Sequence, residues 1–134
     1  MTIRIFLADD HGVVRAGLRL LVETQPDLSV IGEAADGRQA VYEVIRLRPD
    51  IAVLDLAMPE MNGIEAVRQI RAECPGVEII ILSMYKTHEY IYQALKAGAR
   101  GYVLKEAAGE ELIEAIRTVY AGGRHLSPKI SDEL

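Results

Sequence analysis

Five short apolar runs, at residues 3–8, 28–31, 51–54, 79–82 and 101–104, alternate along the chain with longer segments of helical period. The runs are rich in β-branched residues, too short for helices, and mostly continuous rather than alternating. Strands read this way when both faces of a parallel sheet are covered. Between them, Val14, Gly17, Leu18, Leu21 and Val22 follow an i, i+3, i+4, i+7, i+8 spacing, and Leu112, Ala115, Ile116, Val119 and Tyr120 repeat it near the end. These are amphipathic helices. Val41, Val44 and Ile45, then Ile64, Val67 and Ile70, then Ile91, Ala94, Leu95 and Gly98 give narrower stripes of the same kind. Gln25-Pro26-Asp27 and Arg48-Pro49-Asp50 end helices, Asp36-Gly37 opens one, and Ala97-Gly98 closes another.

A fivefold βα alternation predicts an α/β fold, a five-stranded parallel sheet with helices on both faces and right-handed crossovers. The runs at residues 3–8, 51–54 and 79–82 are the most apolar and are expected in the centre. The runs beginning at Leu28 and Gly101 are more mixed and are expected at the edges. That favours the strand order 2-1-3-4-5, a common doubly wound arrangement. After Ala121 the character changes: Gly122-Gly123-Arg124-His125-Leu126-Ser127-Pro128 reads as a linker, with a short helix able to start at Pro128. Residues 1–121 are therefore expected to form the domain, and residues 122–134 a linker toward a further domain.

Composition narrows the function. Half of the 134 residues are apolar and 26% charged, as in an ordinary soluble domain. The net charge of −5 argues against a broad nucleic-acid surface, which needs a basic stripe to displace counterions. A lone Cys74 forms no internal disulfide and fits a reducing compartment, where it reads as a plain helix-end residue. The N-terminus lacks the pattern of a signal peptide, and no apolar run approaches the ~20 residues of a membrane span. A cytoplasmic protein without membrane association is expected.

Polar residues gather where the fold expects a site. In an open α/β sheet, ligands bind beyond the carboxyl ends of the strands, where the strand order reverses. Asp9 and Asp10 end the first run, Asp55 the third, Ser83 the fourth and Lys105 the fifth. Neighbouring strands lie ~4.8 Å apart, so these carboxylates converge. Converging carboxylates repel unless a cation offsets them. An oxygen-only donor set suits Mg2+, which takes one or two carboxylates and keeps several waters. Singly, each residue has an ordinary explanation: Asp9 or Asp10 as a helix cap, Ser83 or Lys105 as a solvated loop residue. Together, at consecutive strand ends, they make a phosphoryl-transfer site with Asp55 as nucleophile. His11, His88 and His125 lack metal-ligand spacing and read as surface or packing residues.

The motifs Asp9-Asp10-His11, the run from Leu54-Asp55 through Ala57-Met58-Pro59 to Asn62-Gly63, Leu82-Ser83-Met84, and Gly98-Ala99-Arg100-Gly101-Tyr102-Val103-Leu104-Lys105 resemble, in order and spacing, the receiver domains of two-component response regulators. The resemblance covers residues 2–121. The opening motif, Lys105-Glu106-Ala107 and the Gly122-Gly123 tail are similar to the NarL/FixJ type, whose members carry a C-terminal helix-turn-helix domain. The resemblance implies a flavodoxin-like receiver fold in a transcription regulator, not a conventional enzyme. It implies phosphorylation of Asp55 by a sensor histidine kinase. It further implies Mg2+ held by Asp10, Asp55 and the Ala57 backbone carbonyl, with Asp9 holding metal waters. Ser83 would bond the phosphoryl group, Lys105 would ion-pair with it, and Tyr102 would turn inward when Ser83 moves. Homodimerisation on phosphorylation, and DNA contact through an output domain, follow from the same resemblance.

Met58, Pro59 and Gly63 are expected to shape the loop rather than touch ligand. Many receivers follow the lysine with a cis proline. Here Glu106 follows Lys105, and a cis bond without proline costs ~3 kcal/mol, so a trans peptide is expected. Two other doubly wound proteins fit less well. A flavin-binding phosphate loop would be repelled by Asp9-Asp10, and a haloacid-dehalogenase nucleophile sits in an Asp-x-Asp on the first strand. A stand-alone phosphorelay receiver is the remaining alternative.

Overall fold

The computed structural model describes residues 2–131. The chain alternates strand and helix: β1 (Ile3–Ala8), α1 (Gly12–Glu23), β2 (Leu28–Ala34), α2 (Gly37–Leu47), β3 (Ile51–Asp55), α3 (Gly63–Glu73), β4 (Glu78–Ser83), α4 (His88–Ala97), β5 (Gly101–Leu104) and α5 (Ala108–Tyr120). A 3-10 turn, Lys105–Ala107, joins β5 to α5. Two further elements follow, β6 (His125–Leu126) and the short α6 (Pro128–Ser131). All strand pairs are parallel, in the order β2-β1-β3-β4-β5-β6.

The two faces of the sheet explain the continuous apolar runs. Ile3, Ile5 and Leu7 of β1 pack with Ile51 and Val53 of β3 against α1 and α5. The intervening Phe6, Ala8, Ala52 and Leu54 pack on the other face with residues of α2, α3 and α4. Every residue of β3 and β5 is buried, whereas β2 at the edge mixes buried and partly exposed positions. Local signals set the helix ends. Asp36 and Asn62 cap α2 and α3 by accepting the Gln39 and Glu65 N–H groups, and Gly98 closes α4 in the left-handed region at φ 120°.

The five expected strands take their expected order, but the sheet is six-stranded. The Gly101 run is not an edge. His125 and Leu126 pair beside Gly101 and Tyr102, so the first part of the expected linker is built into the sheet. A two-residue strand between Gly-Gly and Ser-Pro has no apolar run to announce it. The helix expected to start at Pro128 is present over Pro128–Ser131, and residues 132–134 of the expected linker lie outside the described residues. The apolar stripe of α1 is shorter than its spacing implies. Leu18 and Val22 are buried, but Val14 is exposed, because the first turns of α1 project past the edge of the core. Tyr120 is likewise exposed, and Cys74 is buried at the end of α3. The Lys105–Glu106 peptide is trans.

Candidate functional site

Strand register brings the acids together. Ala8 pairs with Leu54, so Asp9 follows β1 beside Asp55, the last residue of β3. Asp55 pairs with Leu82 and Ser83 with Leu104, which puts Ser83 and Lys105 one step further along the same rim. Gly63 keeps the end of β3 in place: a Cβ there would lie 2.6 Å from the Asp55 carbonyl oxygen. Its N–H also donates to Leu56 O at 2.7 Å, closing the loop that follows Asp55. This fits the expectation that Gly63 shapes the loop.

Lys105 is the hub. Its Nζ lies 3.0 Å from Asp55 Oδ2, to which it donates a hydrogen bond, and 3.0 Å from Asp9 Oδ2. Asp55 Oδ1 accepts the Ala57 N–H at 3.2 Å. Asp9 and Asp55 are both buried, and Lys105 is only partly exposed. Burial pushes the Asp55 carboxyl above its ordinary pKa; the Lys105 ammonium pulls it back without cancelling the rise, and Asp9 adds to it. For Lys105, burial works to lower the pKa, but its bonds to Asp9 and Asp55 outweigh that and raise it. Both shifts describe one cation shared between two buried carboxylates.

Asp10 is exposed beside this pair, and His11 joins it. The His11 N–H donates to Asp9 Oδ1 at 2.8 Å, and its Nδ1 stands 3.2 Å from both Asp9 Oδ1 and Asp10 Oδ1. The ligand atoms of Asp9, Asp10, His11 and Asp55 all lie within 4.8 Å of one another. Asp9 Oδ2 is fully buried and meets the Lys105 ammonium at 3.0 Å as an ion pair, without an aligned hydrogen bond. Three converging carboxylates with one ammonium among them make an oxygen-rich, net negative cluster, and that fits a hard divalent cation.

Ser83 is buried at the end of β4, its Oγ accepting the Tyr85 N–H at 2.9 Å. Tyr102 is wholly buried, and its hydroxyl donates to Tyr85 O at 2.8 Å, so the ring stands turned inward. Burial raises the Tyr102 pKa, with a hydrogen bond from the Ser83 side opposing the rise.

Sequence reasoning missed two residues. His11, expected as a surface or packing residue, is exposed, yet it bridges two of the acids. Arg15 of α1 donates to the Asp9 carbonyl oxygen at 2.6 Å and pairs with Glu33 of β2 at 3.0 Å, so it braces the acidic loop from behind. The only signal for Arg15 was its place one turn beyond the Asp9-Asp10-His11 motif.

Residues 5–117 match the response regulator receiver domain family. The oxygen regulatory protein NreC of Staphylococcus carnosus is 42% identical over 132 residues, covering 98% of this chain and 61% of that protein. The chain thus spans about three fifths of the length of the curated relatives it matches. A two-component response regulator of the LuxR family from Aurantimonas sp. SI85-9A1 superposes with a TM-score of 0.95 at 42% identity, covering 99% of this chain and 95% of that one. The isolated receiver domain of RcsB from Salmonella enterica serovar Typhimurium, solved with the phosphomimetic BeF3-, superposes with a TM-score of 0.92 at 26% identity, covering 100% and 99%. The chain belongs to the response regulator receiver family, in its LuxR/NarL-type branch.

Proposed function

We propose that this chain is a phosphorylation switch in which Asp55 accepts a phosphoryl group from a sensor histidine kinase. One observation carries the reading: Lys105 stands 3.0 Å from both Asp9 and Asp55, at the rim where β1, β3 and β5 end. A carboxylate oxygen of Asp55 bonds to phosphorus as the bond from phosphorus to the donor's leaving group breaks. Asp55 is held ready by the Ala57 N–H and by Lys105, which then turns its charge to the new phosphoryl oxygens. Asp10 and Asp55, with the Ala57 carbonyl, would hold Mg2+, and Asp9 would hold its waters. The ion supplies positive charge that offsets the acids and the developing oxyanion charge. Ser83, buried at the end of β4, offers its hydroxyl to the phosphoryl group, and Tyr102 responds on the same face.

In this reading the domain acts within a longer transcription regulator of the two-component type. It works in the cytoplasm and controls a helix-turn-helix output domain attached beyond residues 122–134. The longer curated relatives support the attachment. Incubation with acetyl phosphate and Mg2+ should add one phosphoryl group per chain, by intact mass, and Asp55→Asn should abolish it. Unchanged labelling of Asp55→Asn would overturn the assignment.

A further inference from the structure

Beyond α5 the chain turns back along β5. The His125 N–H donates to Arg100 O at 3.0 Å and the Ser127 N–H to Tyr102 O at 3.1 Å. The next bond is unlike these. The Leu104 N–H donates at 3.0 Å not to backbone but to the Ser127 hydroxyl oxygen. Ser127 is buried, and its hydroxyl hydrogen goes on to Glu111 Oε2 of α5 at 2.8 Å. His125 Nε2 reaches the same carboxylate oxygen at 3.0 Å. Three side chains thus clasp the tail to β5 and α5, and Ile130 beyond them is wholly buried in the cluster that contains Tyr102 and Leu104.

Leu104 is the residue directly before Lys105. Its N–H lies past the end of the two-residue β6, where the Ser127 carbonyl instead accepts the Ile130 N–H at 2.8 Å, and leaving such a buried group unpaired costs ~1–3 kcal/mol. The Ser127 hydroxyl therefore fixes where β5 ends and from where Lys105 departs. We infer that Ser127 is a positioning residue for Lys105, acting through Leu104, and that docking of the tail is coupled to occupancy of Asp55. The inference rests on Asp55 being the phosphoryl acceptor. A group on Asp55 that draws on Lys105 also loads the Leu104–Ser127 bond. By reciprocity, loosening that bond changes affinity at Asp55 by the same factor that occupancy changes tail docking. On the proposed function, the output domain is attached beyond this tail, so the clasp is a direct route from site to output.

The test uses BeF3- with Mg2+ as the probe of Asp55. Its affinity is titrated for the wild type, Ser127→Ala and Glu111→Gln, with amide exchange at Leu104 and His125 and urea stability measured alongside. Ser127→Ala should change the BeF3- affinity about fivefold or more, the lower range of typical coupling. BeF3- should change Leu104 and His125 exchange in the wild type by a comparable factor. Glu111→Gln keeps the hydroxyl but weakens its anchor, and should shift both in the same direction by less; it stands in if Ser127→Ala does not fold. A merely structural Ser127 would lower urea stability and speed exchange while leaving affinity unchanged, and that result overturns the inference alone. A wild type that binds no BeF3- overturns it together with the assignment of Asp55.

Discussion

Asp55 is buried between a like charge and a cation, and its raised pKa says that burial and Asp9 together outweigh Lys105. An acid whose folded pKa lies above its ordinary 3.8 keeps its proton longer when folded. Folding stability then falls as pH rises from that ordinary value through the folded pKa, and the ionised group remains a liability above it. Asp55→Asn keeps the shape and removes the charge. Without divalent ions at neutral pH it should therefore melt higher than the wild type, by roughly a few degrees. The gap should close as pH is lowered below 3.8, and Mg2+ should narrow it by stabilising only the wild type. A melting point at neutral pH without metal that is equal to or below the wild type would contradict this. The same residues show what a sequence reveals at this scale. Asp9, Asp55, Ser83 and Lys105 were legible because each directly follows an apolar run, and strand ends converge by construction. His11 and Arg15 were not, because what they do depends on rotamers and on Glu33 from another strand.

At the scale of elements, the loop after β3 is held by the start of α2. The Gly37 N–H donates to Pro59 O at 3.1 Å, and a Cβ on Gly37 would lie 1.8 Å from Met61 O. No side chain can yield there, because the obstacle is backbone. Gly37→Ala must push α2 and the 59–61 loop apart, at a cost of about 1–3 kcal/mol, as for other forced overpacking. Urea unfolding should show that loss, and Mg2+ binding should weaken as the loop moves. An unchanged urea midpoint would mean the loop yields freely. Asp36-Gly37 is visible in the sequence as a turn into a helix, but the glycine's second reason, the approach of Met61, is a tertiary contact. The sixth strand was hidden for a similar cause. It is held by the His125 bond to Arg100 O, by the Ser127 bond to Tyr102 O and by the Glu111 carboxylate, none of which leaves a periodic trace. The α1 stripe erred the other way, since period alone cannot tell that the first turns overhang the core.

At the scale of the whole molecule, charge and surface shape point to what the domain does to its neighbours. Fifteen basic residues against twenty acidic leave a net charge of −5, which opposes a phosphate backbone, so this segment alone should bind DNA no better than background. On the proposed function, its effect on an attached output domain would run through the tail, through self-association, or through both. Helix α1 leaves Val13 89% and Leu20 72% exposed, whereas Ile113 of α5 is partly buried against the core and offers less to a partner. A two-fold pairing of α1 faces would bury Val13 and Leu20 of both copies and set two output domains over two half-sites. Scattered apolar residues are common on monomers, so exposure by itself decides nothing. Phosphorylation should move the segment from monomer toward dimer in sedimentation velocity, and Leu20→Glu should hold it monomeric while leaving labelling of Asp55 intact. A monomer in both states at high concentration would mean that the proposed switch acts through the tail, with no pairing of receivers at all.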